Sequence, residues 1–580
     1  MGSGADIDGQ RARIAELEAA LWRDGLDEDL LEPYQHAFRD LEDMLAEQGP
    51  DRRHHVVIVI PVADSPQQLQ TCLDSLLAQC RAFGYGGIEH GRYRKISVLL
   101  ADDSADPEAA AQDRRIAARI VQAGIAVEYF GLDEQLALLA RLQPADLGGI
   151  VGRHAPAAFG HKGQAMMRNI AYLRLAEMQA HRPDQRLLFY TIDADQAFQV
   201  KVATPRGGCS VNAINYFHHL DRLFDQTPVQ VLTGKVVGDP PVSPAVMAGN
   251  FLADVLGFLS AMADCDPDAP YLQPGTDTRG SGEAAYHDMA EMFGFTHQQD
   301  VYRYHCRLPG SPDNAACFAE FAWRLNGFFH GEHPTRITWY RYHGVAGSCQ
   351  PARTVYTGNY AFTAAALRWF IPFAPLRLRM SGPTMGRLLQ AELGDAFASA
   401  NLPMLHRRTL ARTGESEFRP GVAAQQGAVD LSDEFERQFH GDVMLFAMQR
   451  MIRLGYPVAS LSREQMVAIL DTTHGEMREK YRSRQQLVLE RLDRLRSLLH
   501  ERAQWWNRLP ALHAALDEFD NFADNIERNF GATSPALARI DAPDGWRHWR
   551  ARLLAAIMAL HADRAAWQQA LTILRDGCAA

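Results

Sequence analysis

The chain has 580 residues, 47% of them hydrophobic and 22% charged, and a net charge of −11 at pH 7. That length allows several domains or one large domain with additions, and the composition is ordinary for a globular protein. The acidic net charge argues against a nucleic-acid partner, because phosphate backbones bind basic surfaces, although it leaves a local basic groove open. None of the eight cysteines forms a Cys-X-X-Cys pair, so we expect reduced, buried thiols and a cytoplasmic location.

The sequence predicts neither a secretory signal nor a membrane span. Residues 1–4 lead into a polar, acidic segment that lacks the basic and apolar parts of a signal peptide. The most apolar long stretch, 360–378, is interrupted by Arg368, Pro372, Pro375 and Arg377. Charges and prolines at that spacing argue against a span through the bilayer.

The first third of the chain alternates between predicted helices and strands. One or two helices are expected before residue 50, where Ile14, Leu17 and Leu21 form an apolar stripe. The following segments are strand 56–61, a helix opened by Pro66, strand 96–100, helix 116–124 and strand 125–130. Such alternation predicts a parallel α/β sheet, in which ligands bind beyond the carboxyl ends of the strands.

The most informative segment runs from residue 160 to residue 198. It begins with Gly160-His161-Lys162-Gly163, continues as an amphipathic helix, and leads into strand 187–192, which ends in Asp193-Ala194-Asp195. Residues two apart on a strand point to the same side, so the two carboxylates repel and favour a cation beside them. Oxygen ligands suit Mg²⁺ or Mn²⁺. An Asp-X-Asp also occurs in solvated turns and helix caps, so the motif alone leaves that interpretation open.

Carboxylates follow two of the predicted strands. Asp102 and Asp103 end strand 96–100, as Asp193 and Asp195 end strand 187–192. Because the carboxyl ends of parallel strands meet at one edge of a sheet, these four side chains are expected to converge on one crevice.

Several short motifs in this region resemble those of glycosyltransferases with the GT-A fold. Strand 56–61, the helix with Cys72-Leu73-Asp74-Ser75-Leu76, and Leu99-Leu100-Ala101-Asp102-Asp103-Ser104 resemble the family 2 pattern. The segment 160–165, followed by Asp193-Ala194-Asp195, resembles the retaining mannosylglycerate synthase and glucosyl-3-phosphoglycerate synthase group. His161 stands where that group's Gly-Lys-Gly has its first glycine. The resemblance covers about residues 55–360.

The resemblance implies an α/β fold of the GT-A (nucleotide-diphospho-sugar transferase) type, with a mixed, mainly parallel central sheet. It also implies a metal-dependent glycosyltransferase that takes a sugar from a UDP- or GDP-linked donor, with Mn²⁺ or Mg²⁺ as cofactor. The residues then expected around the donor are Pro61, Asp64, Asp103, Lys162, Arg168 and Asp193. Asp103 otherwise caps a helix, Lys162 otherwise lies in a surface loop, and Arg168 otherwise faces solvent.

The metal ligands implied by the resemblance are Asp193, Asp195 and a histidine. In the relatives this histidine follows a late strand, which we predict at 336–340, and the role passes to His343. His406 is the competing choice. On the acceptor side, Glu283 and then Asp313 are the candidates to bind acceptor hydroxyls or to act as general base; otherwise Glu283 is solvated in a loop and Asp313 is a charge at a helix N-terminus.

Four segments are expected along the chain: an N-terminal helical extension at 1–50, a GT-A domain at 55–360, an extension with an acceptor or lid role at 361–430, and a C-terminal helical domain at 431–580. Residues 379–384 could form an acceptor loop, although a plain connection between helices is favoured. Ser462 and Gln465 form a capping box. The apolar stripe Val488, Leu492, Leu495 and Leu499 predicts core inside the chain, with self-association through these helices left open.

The acceptor and the base of the donor are not fixed by the sequence. The Gly-Lys-Gly resemblance favours retention of stereochemistry at the transferred sugar. A sugar-nucleotide pyrophosphorylase is disfavoured, because residues 62–65 after the first strand are not a glycine-rich loop with an arginine. The alternative that stays open is a catalytically degenerate scaffold that presents its C-terminal helices to a partner.

Overall fold

A computed structural model describes residues 3–153, 159–204, 207–240, 243–274, 303–408, 421–425 and 427–579. The N-terminal part forms α1 (Ser3–Leu21), α2 (Leu31–Glu47), β1 (His55–Val62), α3 (Pro66–Phe83), β2 (Ile88–Glu89), β3 (Arg92–Tyr93), β4 (Ile96–Asp102), α4 (Pro107–Gln122), β5 (Ala126–Phe130), α5 (Leu132–Arg141), α6 (Gly148–Val151) and α7 (Gln164–His181).

The middle of the chain forms β6 (Leu187–Ile192), β7 (Gln196–Ala197), β8 (Val200–Thr204), β9 (Gly207–Val211), α8 (Tyr216–Gln226), β10 (Val231–Gly238), α9 (Pro244–Ala263), α10 (Asn314–Arg324), β11 (Gln350–Pro351), β12 (Asn359–Thr363), α11 (Ser381–Leu393) and β13 (Phe397–His406). The C-terminal part forms β14 (Ala423–Gln425), β15 (Ala428–Asp430), α12 (Ser432–Arg453), α13 (Arg463–Leu499), α14 (His513–Phe530), α15 (Pro535–Asp541) and α16 (Pro543–Ala579).

The central sheet has the strand order β11-β13-β10-β12-β6-β1-β4-β5, with β7 paired to β13. Strands β5, β4, β1 and β6 are parallel, β12 runs antiparallel to its neighbours β6 and β10, and β13 runs parallel to β10. The sheet is therefore mixed and mainly parallel, as predicted. Its strands β12 and β13 extend beyond residue 360, so the expected boundary there falls inside a strand.

The two faces of the sheet bury two hydrophobic clusters, because alternate residues of a strand point to opposite sides. In β1, Val57 and Val59 face a cluster with α7, α9 and the C-terminal helices. Val56 and Ile58 face the other cluster, with α1, α2 and α3. The predicted stripe on α13, from Val488 to Leu499, is fully buried in the first cluster. The C-terminal helices thus share one continuous core with the sheet.

Two expectations from the sequence are wrong. Residues 336–340 do not form a strand, because they make only an isolated bridge between Thr338 and Gly238 and a bond from the Tyr340 amide to the Lys201 carbonyl. The expectation of free thiols fails for Cys306 and Cys317, which form a disulfide with Cα atoms 5.7 Å apart. This separation is within the usual range for the bond.

Among the described helices, Pro244–Ala263 is the one that could cross a membrane on length and composition. In the structure, 72% of its most apolar window is buried against other elements, which is also what a core helix shows. Asp254 within it forms a buried ion pair with Arg336, 2.9 Å apart.

Candidate active site

A cavity of about 660 Å³ opens beyond the carboxyl ends of β1, β4 and β6. This is the edge at which ligands bind in parallel α/β sheets. One side of the cavity is formed by strand ends and the start of α7, and we name this side the strand-end half. Its charged residues are Asp103, Lys162, Asp193, Asp195, His406 and Arg408.

Lys162 and Asp103 form a buried ion pair. Nζ of Lys162 lies 2.5 Å from Oδ1 of Asp103, and their side chains are 0% and 5% exposed. The same ammonium donates to the carbonyl of Phe159 and lies 4.0 Å from the centre of its ring. Burial lowers the pKa of Lys162 and raises that of Asp103, each partly offset by the other's charge. Lys162 is therefore not a surface lysine, and helix α4 is capped by Asp106 instead of Asp103.

The loop before α7 presents Lys162 in a fixed orientation. His161 has a left-handed backbone, with φ of 53°, and Gly163 has φ of 98°, which favours glycine. Nε2 of His161 lies 2.5 Å from Oδ2 of Asp64, another left-handed residue. Asp64 is thus held beside the cavity through His161, while Pro61 lines the cavity directly.

Asp193, the first residue after β6, is bonded to Arg168 of α7. The Arg168 side chain is 0% exposed and donates from Nη2 to the Asp193 carboxylate. Arg168 therefore does not face solvent. A Cβ on Gly358 would lie 2.3 Å from Oδ2 of Asp193, so this position admits glycine only while the carboxylate stays in place. Burial raises the pKa of Asp193, an effect that Arg168 opposes and Asp195 reinforces.

Asp195 contacts two residues at the end of β13. Nη1 of Arg408 lies 2.8 Å from its Oδ2, and Nε2 of His406 lies 3.3 Å from the same oxygen. Burial opposes ionisation of Asp195, but His406 and Arg408 outweigh it and hold the pKa of Asp195 below its usual range. Burial likewise opposes a charge on His406, yet the Asp195 carboxylate raises the pKa of His406.

The ring of His406 is oriented by the backbone. Its Nδ1 lies 2.7 Å from the carbonyl of Asp239, so Nδ1 is the donor there. The protonated ring then donates from Nε2 to Asp195, and the neutral ring has its Nε2 lone pair available to a cation beside Asp195. The residue pairs with β10, since His406 lies opposite Gly238 in the parallel register.

Asp195, Asp193 and His406 have donor atoms that suit a divalent cation. Oδ1 of Asp195 is buried without a hydrogen-bond partner in the described ranges, which fits a ligand oxygen awaiting a cation. Within those ranges, no three His, Cys, Asp or Glu side chains are already arranged to hold a metal. In the structure Arg168 pairs with Asp193 and Arg408 pairs with Asp195.

The other predicted site residues lie apart from these groups. His343 is exposed and does not line the cavity, so the structure brings His406 and not His343 to Asp195. Asp313 caps α10, where its Oδ1 accepts from the amide of Ala316 at 2.7 Å, and it does not line the cavity either. Glu283 lies outside the described residues.

Apart from segment 379–384, the opposite side of the cavity carries residues that the sequence did not single out as site residues. They come from the segment before α11 and from the C-terminal helices, and the basic ones are Arg377, Arg379, Arg437 and Arg552. We name these four residues the arginine wall. Segment 379–384 is the start of α11 and lines the cavity through residues 379–383. Arg408 could have been found from the sequence, because it lies two residues after His406, the competing choice of metal ligand.

No protein-family model matches the sequence, and no curated protein matches it. A solved structure that matches is described as the mannosyltransferase PcManGT from Pyrobaculum calidifontis in complex with GDP-Man and Mn²⁺. The match covers 95% of this chain and 98% of that chain, with 12% identity and a TM-score of 0.31. A likeness of that size carries no argument about function, which must rest on the residues of the cavity.

Proposed function

We propose that this protein is a metal-dependent glycosyltransferase that uses a nucleotide diphosphate sugar as donor. The observation that carries the proposal is the Asp193–Asp195 pair directly after β6, in one cavity with Lys162, Asp103 and His406. Two carboxylates with a histidine bind a cation, and a lysine and an arginine beside them bind phosphate. That combination suits a pyrophosphate ester.

The strand-end half is proposed to bind the donor by exchanging partners. In the structure, Asp195 holds Arg408 at 2.8 Å. Nε and Nη2 of Arg408 are buried without hydrogen-bond partners in the described ranges. These donors are available to diphosphate oxygens, and moving the guanidinium toward them frees Asp195. Arg168 stays on Asp193 and keeps that carboxylate in position.

A bound Mn²⁺ or Mg²⁺ would act as a Lewis acid on the leaving diphosphate. Asp195 and His406 are its proposed ligands, with Asp193 beside them. Lys162 would add positive charge near the phosphates, and Asp103, which fixes the ammonium, would contact the nucleoside through its remaining acceptor capacity. The base, UDP or GDP, is left to experiment.

We propose retention of stereochemistry at the sugar. The three carboxylates of the strand-end half are each bonded to a cationic side chain: Asp103 to Lys162, Asp193 to Arg168 and Asp195 to Arg408. None of the three is therefore free to take the proton of an acceptor hydroxyl. In a retaining transfer the departing phosphate accepts that proton from the same face, so no protein base is required.

The proposal is tested by a hydrolysis screen of common nucleotide sugars with Mn²⁺. Asp195→Asn should lower turnover of the active donor by about 100-fold or more, the scale of losing a key electrostatic stabiliser. Asp184→Asn, which alters an exposed carboxylate in the turn before β6, is the matched control and should match the wild type. Equal turnover in Asp195→Asn and wild type would contradict the proposal.

A non-catalytic scaffold is the second candidate function. The observation that favours it is that both strand-end carboxylates of the Asp-X-Asp are already neutralised by arginines. A scaffold of this kind would bind no nucleotide in the presence of Mn²⁺, so calorimetry with UDP and GDP separates the two.

A further inference from the structure

The arginine wall brings four guanidinium groups to one side of the cavity. Arg377 and Arg379 precede α11, Arg437 belongs to α12, and Arg552 belongs to α16. Three separate stretches of chain thus contribute cations to the side that faces the strand ends. Concentrating like charges in this way is unfavourable unless an anion offsets it.

Carboxylates near the wall balance only part of these charges, because Glu434 pairs with Arg379 at 3.3 Å. In the ranges that the structure describes, neither Arg377 nor Arg552 has an ion-pair partner. The nearest carboxylate oxygen to Arg437 belongs to Asp433, at 3.7 Å. Glu436 is engaged elsewhere, since its Oε1 accepts from the indole of Trp549 at 2.8 Å.

The pKa shifts of neighbouring groups agree with an excess of positive charge on the wall. Burial lowers the pKa of Arg437, and the charges of Arg379 and Arg377 lower it further. Arg377 also contributes to the lowered pKa of Lys162, after the larger effect of burial. The positive charge of Arg377 therefore acts on the strand-end half across the cavity.

The backbone that carries Arg377 is held in an unfavourable conformation. Phe373, Arg377 and Met380 have φ of 59°, 54° and 66°, in the left-handed region. Non-glycine residues persist in that region only where the surroundings enforce it, often at ligand sites. Here Nε of Arg437 donates to the carbonyl of Arg377 at 2.6 Å and ties the segment to α12.

We propose that the arginine wall is the acceptor subsite and that it binds a phosphate or carboxylate group of the acceptor. This inference rests on the proposed transferase function. The donor phosphates have Lys162 and Arg408 at the strand ends, so the wall serves a second anion. Trp549 also lines the cavity, but its ring already stacks on His440 at 4.3 Å and carries the guanidinium of Arg552 at 4.2 Å, which favours an anion over a stacked neutral sugar.

The test first fills the strand-end half with Mn²⁺ and whichever of GDP or UDP binds. Glycerol 3-phosphate is then titrated into the complex by calorimetry, with glycerol as the neutral control. We expect glycerol 3-phosphate to bind and glycerol not to bind. A parallel arm with phosphatidic acid vesicles distinguishes the source of the anion: binding of vesicles assigns a lipid acceptor, and binding of the soluble compound alone assigns a small molecule.

Variants then assign the anion to the wall. Arg377→Gln and Arg552→Gln should each weaken glycerol 3-phosphate binding at least tenfold and leave nucleotide affinity unchanged. Arg547→Gln is the matched control, because Arg547 lies on the same helix as Arg552 and pairs with Asp544 outside the cavity. Equal affinity in all three variants, or no preference over glycerol, would overturn the inference. If Mn²⁺ and nucleotide did not bind at all, that result would instead contradict the transferase proposal.

Discussion

The two halves of the cavity balance their charges in opposite ways. In the strand-end half each carboxylate has a cationic partner, such as Lys162 for Asp103 and Arg408 for Asp195. In the arginine wall, Arg377 and Arg552 have no ion-pair partner within the described ranges. The first half is self-neutral and must exchange partners to bind a ligand, whereas the second already offers unpaired donors. In the proposed function this difference distinguishes the donor site, which opens on binding, from the acceptor site, which already has unpaired cations for an anion.

The largest effect is expected from breaking an ion pair in the strand-end half. Lys162→Met leaves Asp103 buried without its cation, and removing one partner of a buried pair costs about 3–5 kcal/mol. The free energy of unfolding from urea denaturation measures this loss. The double variant Lys162→Met/Asp103→Asn should recover much of it. A loss below about 1 kcal/mol in the single variant would show that the pair is not buried as described.

The next effect concerns α12, the helix that carries Arg437. Burial raises the pKa of Asp442 to about 6, although Tyr481 and Gln438 donate to it. The unfolded value is about 3.9, so between these pH values the folded state binds the extra proton, and stability falls as pH rises. The loss is about 3 kcal/mol by about pH 6. Denaturation curves of Asp442→Asn should lack this slope, and parallel pH dependence in both proteins would contradict it.

A smaller effect tests which histidine is the metal ligand in the strand-end half. His406→Gln should weaken Mn²⁺ binding in the presence of nucleotide by about tenfold or more. His343→Gln is the control, since His343 is exposed outside the cavity. Paramagnetic resonance of free Mn²⁺ gives both affinities. If only His343→Gln lost Mn²⁺ affinity, His343 would be the metal ligand, as the sequence favoured, and the role proposed for His406 would be wrong.

The smallest effect belongs to the arginine wall. Arg552→Met keeps apolar contact with Trp549 and leaves no described carboxylate unpaired, so it should change the free energy of unfolding by less than about 1 kcal/mol. The same urea denaturation as for Lys162→Met measures it. A cost of several kcal/mol would mean that Arg552 supports the fold and is not held for a ligand.

The sequence was most informative where a site is built from contiguous residues. Strand β6 and the Asp-X-Asp that follows it are local features, readable from a short apolar run and its end. Lys162 was identified from its neighbours in the same way. Its pairing with Asp103 follows from the parallel alignment of β1, β4 and β6.

Residues brought in by long-range pairing were harder to assign. The preference for His343 depended on a strand at 336–340, and that segment makes only one isolated bridge. His406 reaches Asp195 because β13 pairs antiparallel with β7, with His406 opposite Gln196, a register that no local pattern encodes. The arginine wall depends on α12 and α16 packing beside the sheet, where an amphipathic pattern predicts burial but not the neighbour.

The most direct test of the account is calorimetric titration of UDP and GDP into the protein with and without Mn²⁺. The proposal is that metal and diphosphate together displace Arg408 from Asp195, so the affinity of one nucleotide should rise at least tenfold with Mn²⁺ in wild type. It should not rise in Asp195→Asn. Nucleotide affinity that is the same with and without Mn²⁺, or a full rise in Asp195→Asn, would contradict the proposed site.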